Sequence, residues 1–171
     1  MSSNPVVLIE TTMGNIKVEI YEKKAPITSA NFLRYMDDGL YDGTSFFRTV
    51  TMDNQPNNDV KIEVIQGGQV PKEREYDPIE LERTTLTGLK HRDGVISMGR
   101  FMPDSAKSSF FFCIGDQPEL DYGGKRNPDG QGFAAFGMII EDMDVVRAIQ
   151  VEPYEEQRLI PPIEIVSIRR V

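Results

Sequence analysis

The chain has no tryptophan, one histidine (His91) and one cysteine (Cys113) among 171 residues. A single cysteine excludes an intrachain disulfide. No Ser-His-Asp order is evident along the chain, and nothing in the sequence pairs His91 with Cys113 as a nucleophilic dyad. Cys113 lies in the apolar run Phe110 to Ile114, where a buried, inert thiol is the expectation. Asp37-Asp38 and Asn127-Pro128-Asp129-Gly130 lack the ligand spacing of a calcium loop. There is no G-x-G-x-x-G fingerprint and no phosphate loop. No metal and no cofactor are therefore expected. No apolar run approaches the roughly 18 residues that a membrane helix needs. Met1-Ser2-Ser3-Asn4-Pro5 has neither the basic nor the apolar stretch of a signal peptide, so the expected compartment is the cytoplasm. Basic residues are outnumbered: 19 Lys and Arg against 27 Asp and Glu, a net charge of −8. Phosphate contacts need Lys and Arg, which disfavours nucleic acid and anionic membranes as partners. Solubility is the ordinary consequence of such acidity.

What remains is ordinary for a soluble domain: 39% hydrophobic and 27% charged residues. One domain spanning residues 1–171 is expected, long enough to bury a real core. Pro5 to Thr11 is apolar and β-rich, and Thr12-Met13-Gly14-Asn15 reads as a turn. Ile16, Val18 and Ile20 then alternate with Lys17, Glu19 and Tyr21, which makes a hairpin with one solvated face. After Ala25-Pro26, Thr28 is the expected cap of a helix whose apolar positions are Ala30, Phe32, Leu33 and Met36, and Gly39 is placed to end it. Strands are expected at 45–51, 61–66, 95–98, 110–114 and 134–140. Residues 71–90 read mostly as loop, and Val145, Val146 and Ile149 as a short second helix. Pro161-Pro162 introduces a last strand, where the alternation slips one residue between Ile165 and Val166, the mark of a β-bulge. About eight strands and two helices, with neither βαβ alternation nor repeats, point to an antiparallel barrel or a sandwich.

Four short segments carry the chemistry: Gly43-Thr44-Ser45-Phe46-Phe47-Arg48, Ile65-Gln66-Gly67-Gly68, Gly94-Val95-Ile96-Ser97-Met98 and Ser108-Ser109-Phe110-Phe111-Phe112. Together they offer one guanidinium, one amide and several phenylalanines. That inventory suits a site that holds an apolar peptide segment and polarises one carbonyl. Taken singly, each has a plainer reading. An isolated Phe-Phe-Arg is more often a strand arginine reaching to water, and a Gln-Gly-Gly is more often a satisfied strand end. Phe110 and Phe112 are read as core, shared between the two faces of their strand.

In this order the segments resemble the cyclophilin family of peptidyl-prolyl cis-trans isomerases, from about Val6 to Val171. The resemblance implies a mainly β fold: a closed eight-stranded antiparallel barrel capped by two helices, with the substrate on its outer surface. It implies catalytic roles for Arg48 and Gln66, and a proline pocket that includes Val64, Phe111, Leu120 and Phe133. Gly99 and Arg100 match an Ala-Asn pair whose backbone meets the peptide. The implied partners are proline-containing peptides and unfolded or flexible proteins, with the chain a monomer. A proline-peptide binding module with little turnover is the alternative, and a carrier with a ligand inside the barrel is a weaker third. The chain departs from the family at Phe47 (usually His), Glu63-Val64 (usually Phe-Met), Ser109 (usually Gln), Glu119 (Trp in many members) and Phe133 (His or Tyr). These changes bear on rate more than on binding mode, and the missing tryptophan argues against tight binding of cyclosporin-like macrocycles. Arg48 and Gln66 are 18 positions apart, roughly ten more than is common. The extra residues include the polar stretch 52–59, and a second polar loop covers 123–132. Residues 52–59 are expected to shape substrate choice through Asp53 and Asp59 and to leave the chemical step alone. His91 is expected to be structural.

Overall fold

A computed structural model describes residues 3–171; Met1 and Ser2, part of the segment read for a leader, lie outside the described residues. Nine strands form one sheet: β1 (Val6–Thr11), β2 (Gly14–Ile20), β3 (Ser45–Val50), β4 (Val64–Gly67), β5 (Val95–Met98), β6 (Phe110–Cys113), β7 (Ala135–Glu141), β8 (Tyr154–Glu155) and β9 (Arg158–Arg170). Their order is β1-β2-β7-β5-β6-β4-β3-β9-β8, and β1 also pairs with β9. That pairing closes eight strands into an antiparallel barrel, with β8 as a two-residue appendage on β9. Closure removes the exposed edges that an open sheet would carry.

Alternation along each strand decides what fills the ring. Ile9, Ile16, Phe46, Ile65, Ile96, Phe110, Phe112, Phe136 and Ile165 are fully buried inside it. Phe110 meets Phe32, Tyr41 and Phe46 edge to face, with centroids 5.5, 5.4 and 6.0 Å away. The lumen is thus filled with side chains, which leaves no room for a carried ligand. Phe110 and Phe112 touch each other in this core while Phe111 belongs to a separate cluster outside it. The expectation that Phe110 and Phe112 divide the two faces is therefore corrected: residues i and i+2 of a strand share a face.

Helix α1 (Pro26–Asp37) starts three residues earlier than expected, with Ala25 at the cap position and Pro26 in the first turn, where its missing N–H costs nothing. Thr28 is not the cap. The buried Glu82 carboxylate accepts from Ile27 N, Thr28 N and Thr28 Oγ1 at 3.1, 2.6 and 2.5 Å. A carboxylate from 54 residues away suits the positive end of the helix dipole better than a hydroxyl. At the other end Gly39 (φ +69) donates to Met36 O and Leu40 N donates to Tyr35 O, a Schellman closure that favours glycine. The segment read as loop over 71–90 contains a 3₁₀ turn (Lys72–Arg74) and a one-turn helix, α2 (Thr84–Thr87). Helix α3 (Met143–Gln150) buries Val146 and Ile149. Among the described residues no helix is long and apolar enough to cross a membrane.

The slip expected in the last strand is present: Glu10 pairs with Ser167 and Thr11 with Ile165, so Val166 is the extra residue. Pro161-Pro162, however, lies inside β9 and does not introduce it. Between the β3 pairings at Ile163 and Arg158 the register breaks, so no ladder bond there requires a proline N–H. The β8–β9 hairpin turns on Glu156-Gln157 with Glu156 at φ +59, and the sequence reading missed it.

Candidate active site

Arg48 owes its position to an irregularity. Phe46 points into the barrel, and in a regular strand Arg48 would follow it there. The register slips at this point: Phe46 pairs with Gly67, whereas Arg48 pairs with Gln66. The extra residue, Phe47, forms a bulge that turns Arg48 to the outer surface. The next ladder sets Gln66 opposite Phe111 and Val64 opposite Cys113, so β3, β4 and β6 present Arg48, Gln66, Val64 and Phe111 side by side. All eight residues singled out from the sequence — Arg48, Val64, Gln66, Gly99, Arg100, Phe111, Leu120 and Phe133 — line one cavity of about 200 Å³.

The guanidinium of Arg48 is clamped between two glutamines. Its Nη1 donates to Gln66 Oε1 at 3.0 Å. Its Nε and Nη2 both donate to Gln157 Oε1, at 3.0 and 2.8 Å. Gln66 is held in turn, donating through Nε2 to Ser109 Oγ at 3.1 Å. At Gly99 a Cβ would stand 2.9 Å from both Gln66 Nε2 and Ser109 Oγ, closer than these partners allow. Glycine and serine here, like the register, serve the orientation of Gln66. No carboxylate pairs with Arg48 among the described residues. Burial, and then the positive charge of Arg126, lower its pKa from the ordinary arginine value. An arginine nonetheless stays protonated in proteins.

The apolar wall is Phe111, Leu120, Val64 and Phe133. Phe111 meets Phe133 edge to face at 5.5 Å and stacks on His91 at 6.1 Å. His91 is buried. It pairs with Asp121 Oδ1 through Nδ1 at 2.7 Å and with Ser97 Oγ through Nε2 at 2.8 Å. The ring thus braces Phe111 from behind and does not line the cavity. Burial pushes the Asp121 carboxyl up, but bonds from the His91 ring and main chain outweigh it and leave the group below the usual aspartate value. Cys113 is fully buried, and burial raises its thiol well above the ordinary value, so it is not a nucleophile.

Three features were invisible in the sequence. First, Gln157 was read as neither site nor turn. Second, stretch 52–59 is not a mere rim. Asn54 and Gln55 are buried, and Asn54 Nδ2 donates to Thr49 O and Glu156 O at 2.9 and 3.0 Å. Gln157 Nε2 donates to Asn54 O at 3.2 Å, so the stretch braces the clamp on Arg48. Asp53 and Asp59 are exposed and line no part of the cavity. Third, Arg48 is not the sole cation. Arg100 also lines the cavity, its guanidinium 4.9 Å above the Phe133 ring and 2.9 Å from Asp129. So does Arg126, from the 123–132 loop; it donates through Nη1 to Gln55 Oε1 and Val60 O at 2.6 and 2.7 Å. Glu63 and Glu119 are turned away. Glu63 accepts from Gln150, and Glu119 accepts from the main chain of Lys125.

A family model described as cyclophilin type peptidyl-prolyl cis-trans isomerase matches residues 6–170. A peptidyl-prolyl cis-trans isomerase of Acinetobacter baylyi is 33% identical, over 98% of this chain and 86% of its own length. Peptidyl-prolyl cis-trans isomerase B of Escherichia coli is 31% identical, over 85% of this chain and 84% of its own. The crystal structure of a Cryptosporidium parvum cyclophilin type isomerase, determined in the presence of the dipeptide Ala-Pro, superposes with a TM-score of 0.73 at 23% identity. It covers 97% of this chain and 98% of that one.

Proposed function

The chain belongs to the cyclophilin-type peptidyl-prolyl cis-trans isomerase family and is a peptidyl-prolyl isomerase, and from that premise we propose which side chains carry the rotation. The barrier of about 18–20 kcal/mol about an X-Pro bond comes from amide resonance. Lowering it needs neither bond cleavage nor proton transfer. It needs a site that favours the twisted amide over the planar one.

The proposed roles follow from the geometry. Phe111, Leu120, Val64 and Phe133 hold the proline ring. Arg48 is the catalytic residue: its fixed guanidinium donates to the substrate and stabilises the twisted state. Gln66 orients it from one side. Gly99 and Arg100 meet the peptide through their main chain. The observation that carries this reading is the guanidinium itself, unpaired with any carboxylate among the described residues and gripped by two neutral amides at the edge of an apolar wall. Its donors are preorganised and its charge is not cancelled. The binding-module alternative is not favoured, because the relatives named above are all named as isomerases and the cation is retained.

Client proteins in need of folding, a monomeric state, a cytoplasmic location, no part for nucleic acid or membrane, and one domain across residues 1–171 are further parts of this proposal. The net charge of −8 supports the exclusion of nucleic acid and anionic membranes, and the buried lone cysteine is in keeping with the location.

Exchange spectroscopy on an X-Pro peptide tests the assignment. Arg48→Ala should slow exchange by roughly 10²–10³-fold, the usual cost of one preorganised donor, with an unchanged fold. Equal exchange by wild type and folded variant would refute the role of Arg48.

A further inference from the structure

The cavity holds a second guanidinium that the rotation of a neutral amide does not require. Arg126 stands on the 123–132 loop, half-buried, and its charge is felt at Arg48. The two hydrogen bonds of its guanidinium go to neutral acceptors, Gln55 Oε1 and Val60 O. Gln55 is itself fixed, accepting from Ile62 N and donating to Thr51 O and Ile62 O. The inserted stretch therefore builds a rigid seat for this one arginine. Among the described residues no carboxylate side chain pairs with Arg126, and the other N–H groups of its guanidinium have no protein partner; its main-chain N–H donates to Glu119 O at 3.2 Å. Nor does Arg48 have a carboxylate, whereas the third cation, Arg100, is neutralised by Asp129. In a chain with 27 acidic and 19 basic residues, two neighbouring guanidiniums left without a counter-ion are not the product of composition. Bringing two like charges together and partly dehydrating them costs free energy. A bound anion would offset that cost.

We propose that Arg126, seated by Gln55, selects substrates carrying an anionic side chain next to the proline, either a carboxylate or a phosphate. This rests on the isomerase site described above and adds a substrate class to it. The planar fork of arginine suits both groups. The general field of an acidic protein repels such peptides at long range, so the preference arises at contact and depends on this one residue.

The test uses peptides acetylated and amidated at their ends, which removes terminal charges. Glu, Gln, Lys or phosphoserine is placed immediately before or immediately after a single proline. Dissociation constants come from NMR titration and exchange rates from the same samples. Glu and Gln differ in charge but hardly in shape. Wild type should bind the Glu peptide about tenfold tighter than the Gln peptide in at least one position, the size of one charge-assisted hydrogen bond. The Lys peptide should bind most weakly, and the phosphoserine peptide shows which anion is preferred. The Glu-to-Gln ratio should fall to about one in Arg126→Gln, persist in part in Arg126→Lys, and shrink in Gln55→Ala, which keeps the arginine but loses its seat. A wild-type ratio of one or less at both positions, with Gln peptides still isomerised, overturns the proposal and leaves the isomerase site intact. So does an equal loss for Glu and Gln peptides in Arg126→Gln, since Arg126 would then act on the amide. Loss of exchange on every peptide by wild type would instead sink the site assignment itself.

Discussion

Gln157→Ala should uncouple the guanidinium of Arg48 from its frame without emptying the site. Of the three hydrogen bonds that hold the guanidinium, two end on Gln157 Oε1 and one on Gln66 Oε1. The substitution leaves the single bond to Gln66 and frees a side chain with up to about 2 kcal/mol of rotamer entropy. It also removes the bond from Gln157 Nε2 to Asn54 O. Gln157 is partly exposed, so water replaces the lost partners, and the stability cost should be about 1 kcal/mol. The catalytic cost should be larger. A displacement of about 1 Å in a positioning group can cost on the order of a hundredfold, so exchange at saturating peptide should fall roughly ten- to a hundredfold. The apolar wall is untouched, and the peptide dissociation constant should move less than about threefold, since affinity comes largely from burying the proline ring. Exchange spectroscopy at saturation, a titration and a thermal melt separate these quantities. An exchange rate within twofold of wild type, in a variant that melts normally, would show that Gln66 alone orients Arg48 and that the second clamp is incidental.

Replacing stretch 52–59 with a short Gly-containing turn should lower turnover on every peptide, because Asn54 no longer braces Gln157; neutral-peptide turnover within twofold of wild type would refute that. Val64→Met should tighten peptide binding by about 1 kcal/mol, from a few tens of Å² of added apolar contact at roughly 25 cal/mol per Å², and no gain in affinity by a folded variant would show that the cavity does not admit the longer side chain against the peptide. His91→Ala should cost about 3 kcal/mol of stability, through the void behind Phe111 and the stranded Ser97 and Asp121 groups. Exchange per folded molecule should stay within a few-fold, and a large loss of exchange at full folding would give His91 a catalytic part. Asp121→Asn should flatten part of the acid limb of stability. The folded carboxyl titrates below its unfolded value near 3.9, so its contribution is present above that pH and is lost as pH falls through the lower folded value. Parallel acid limbs in urea melts of variant and wild type between about pH 5 and 2 would contradict this.

The order of Arg48, Gln66, Gly99, Phe111, Leu120 and Phe133 along the chain was enough to name the family and to predict which residues gather at one cavity. Arg48, Gln66 and Phe111 ride on strands, whose alternation and ladder convert sequence order into position, while Gly99, Leu120 and Phe133 lie in the connections beside them. The bulge at Val166 was legible for the same reason: a slip in alternation is a local signal. The bulge at Phe47 was not, although it decides where Arg48 points, because nothing in Phe46-Phe47-Arg48 reveals which of the three residues is the extra one. That choice is made by pairing with β4 and β9. The helix cap on Glu82, the hairpin at Glu156-Gln157 and the seat of Arg126 share one cause. Each is satisfied by a partner from 54 to 109 positions away, and the Glu156-Gln157 turn lacks the Asn-Gly chemistry that would announce it. Sequence alone determined most of the strands, since these follow from periodicity, while the choice of a closed barrel over a sandwich and the constellation of site residues came from the likeness of the motif order to the cyclophilin family. Only the closed tertiary structure decided how rigidly Arg48 is held, and that a second, unpaired arginine stands beside it, because distant loops reach the same cavity only after the barrel has closed.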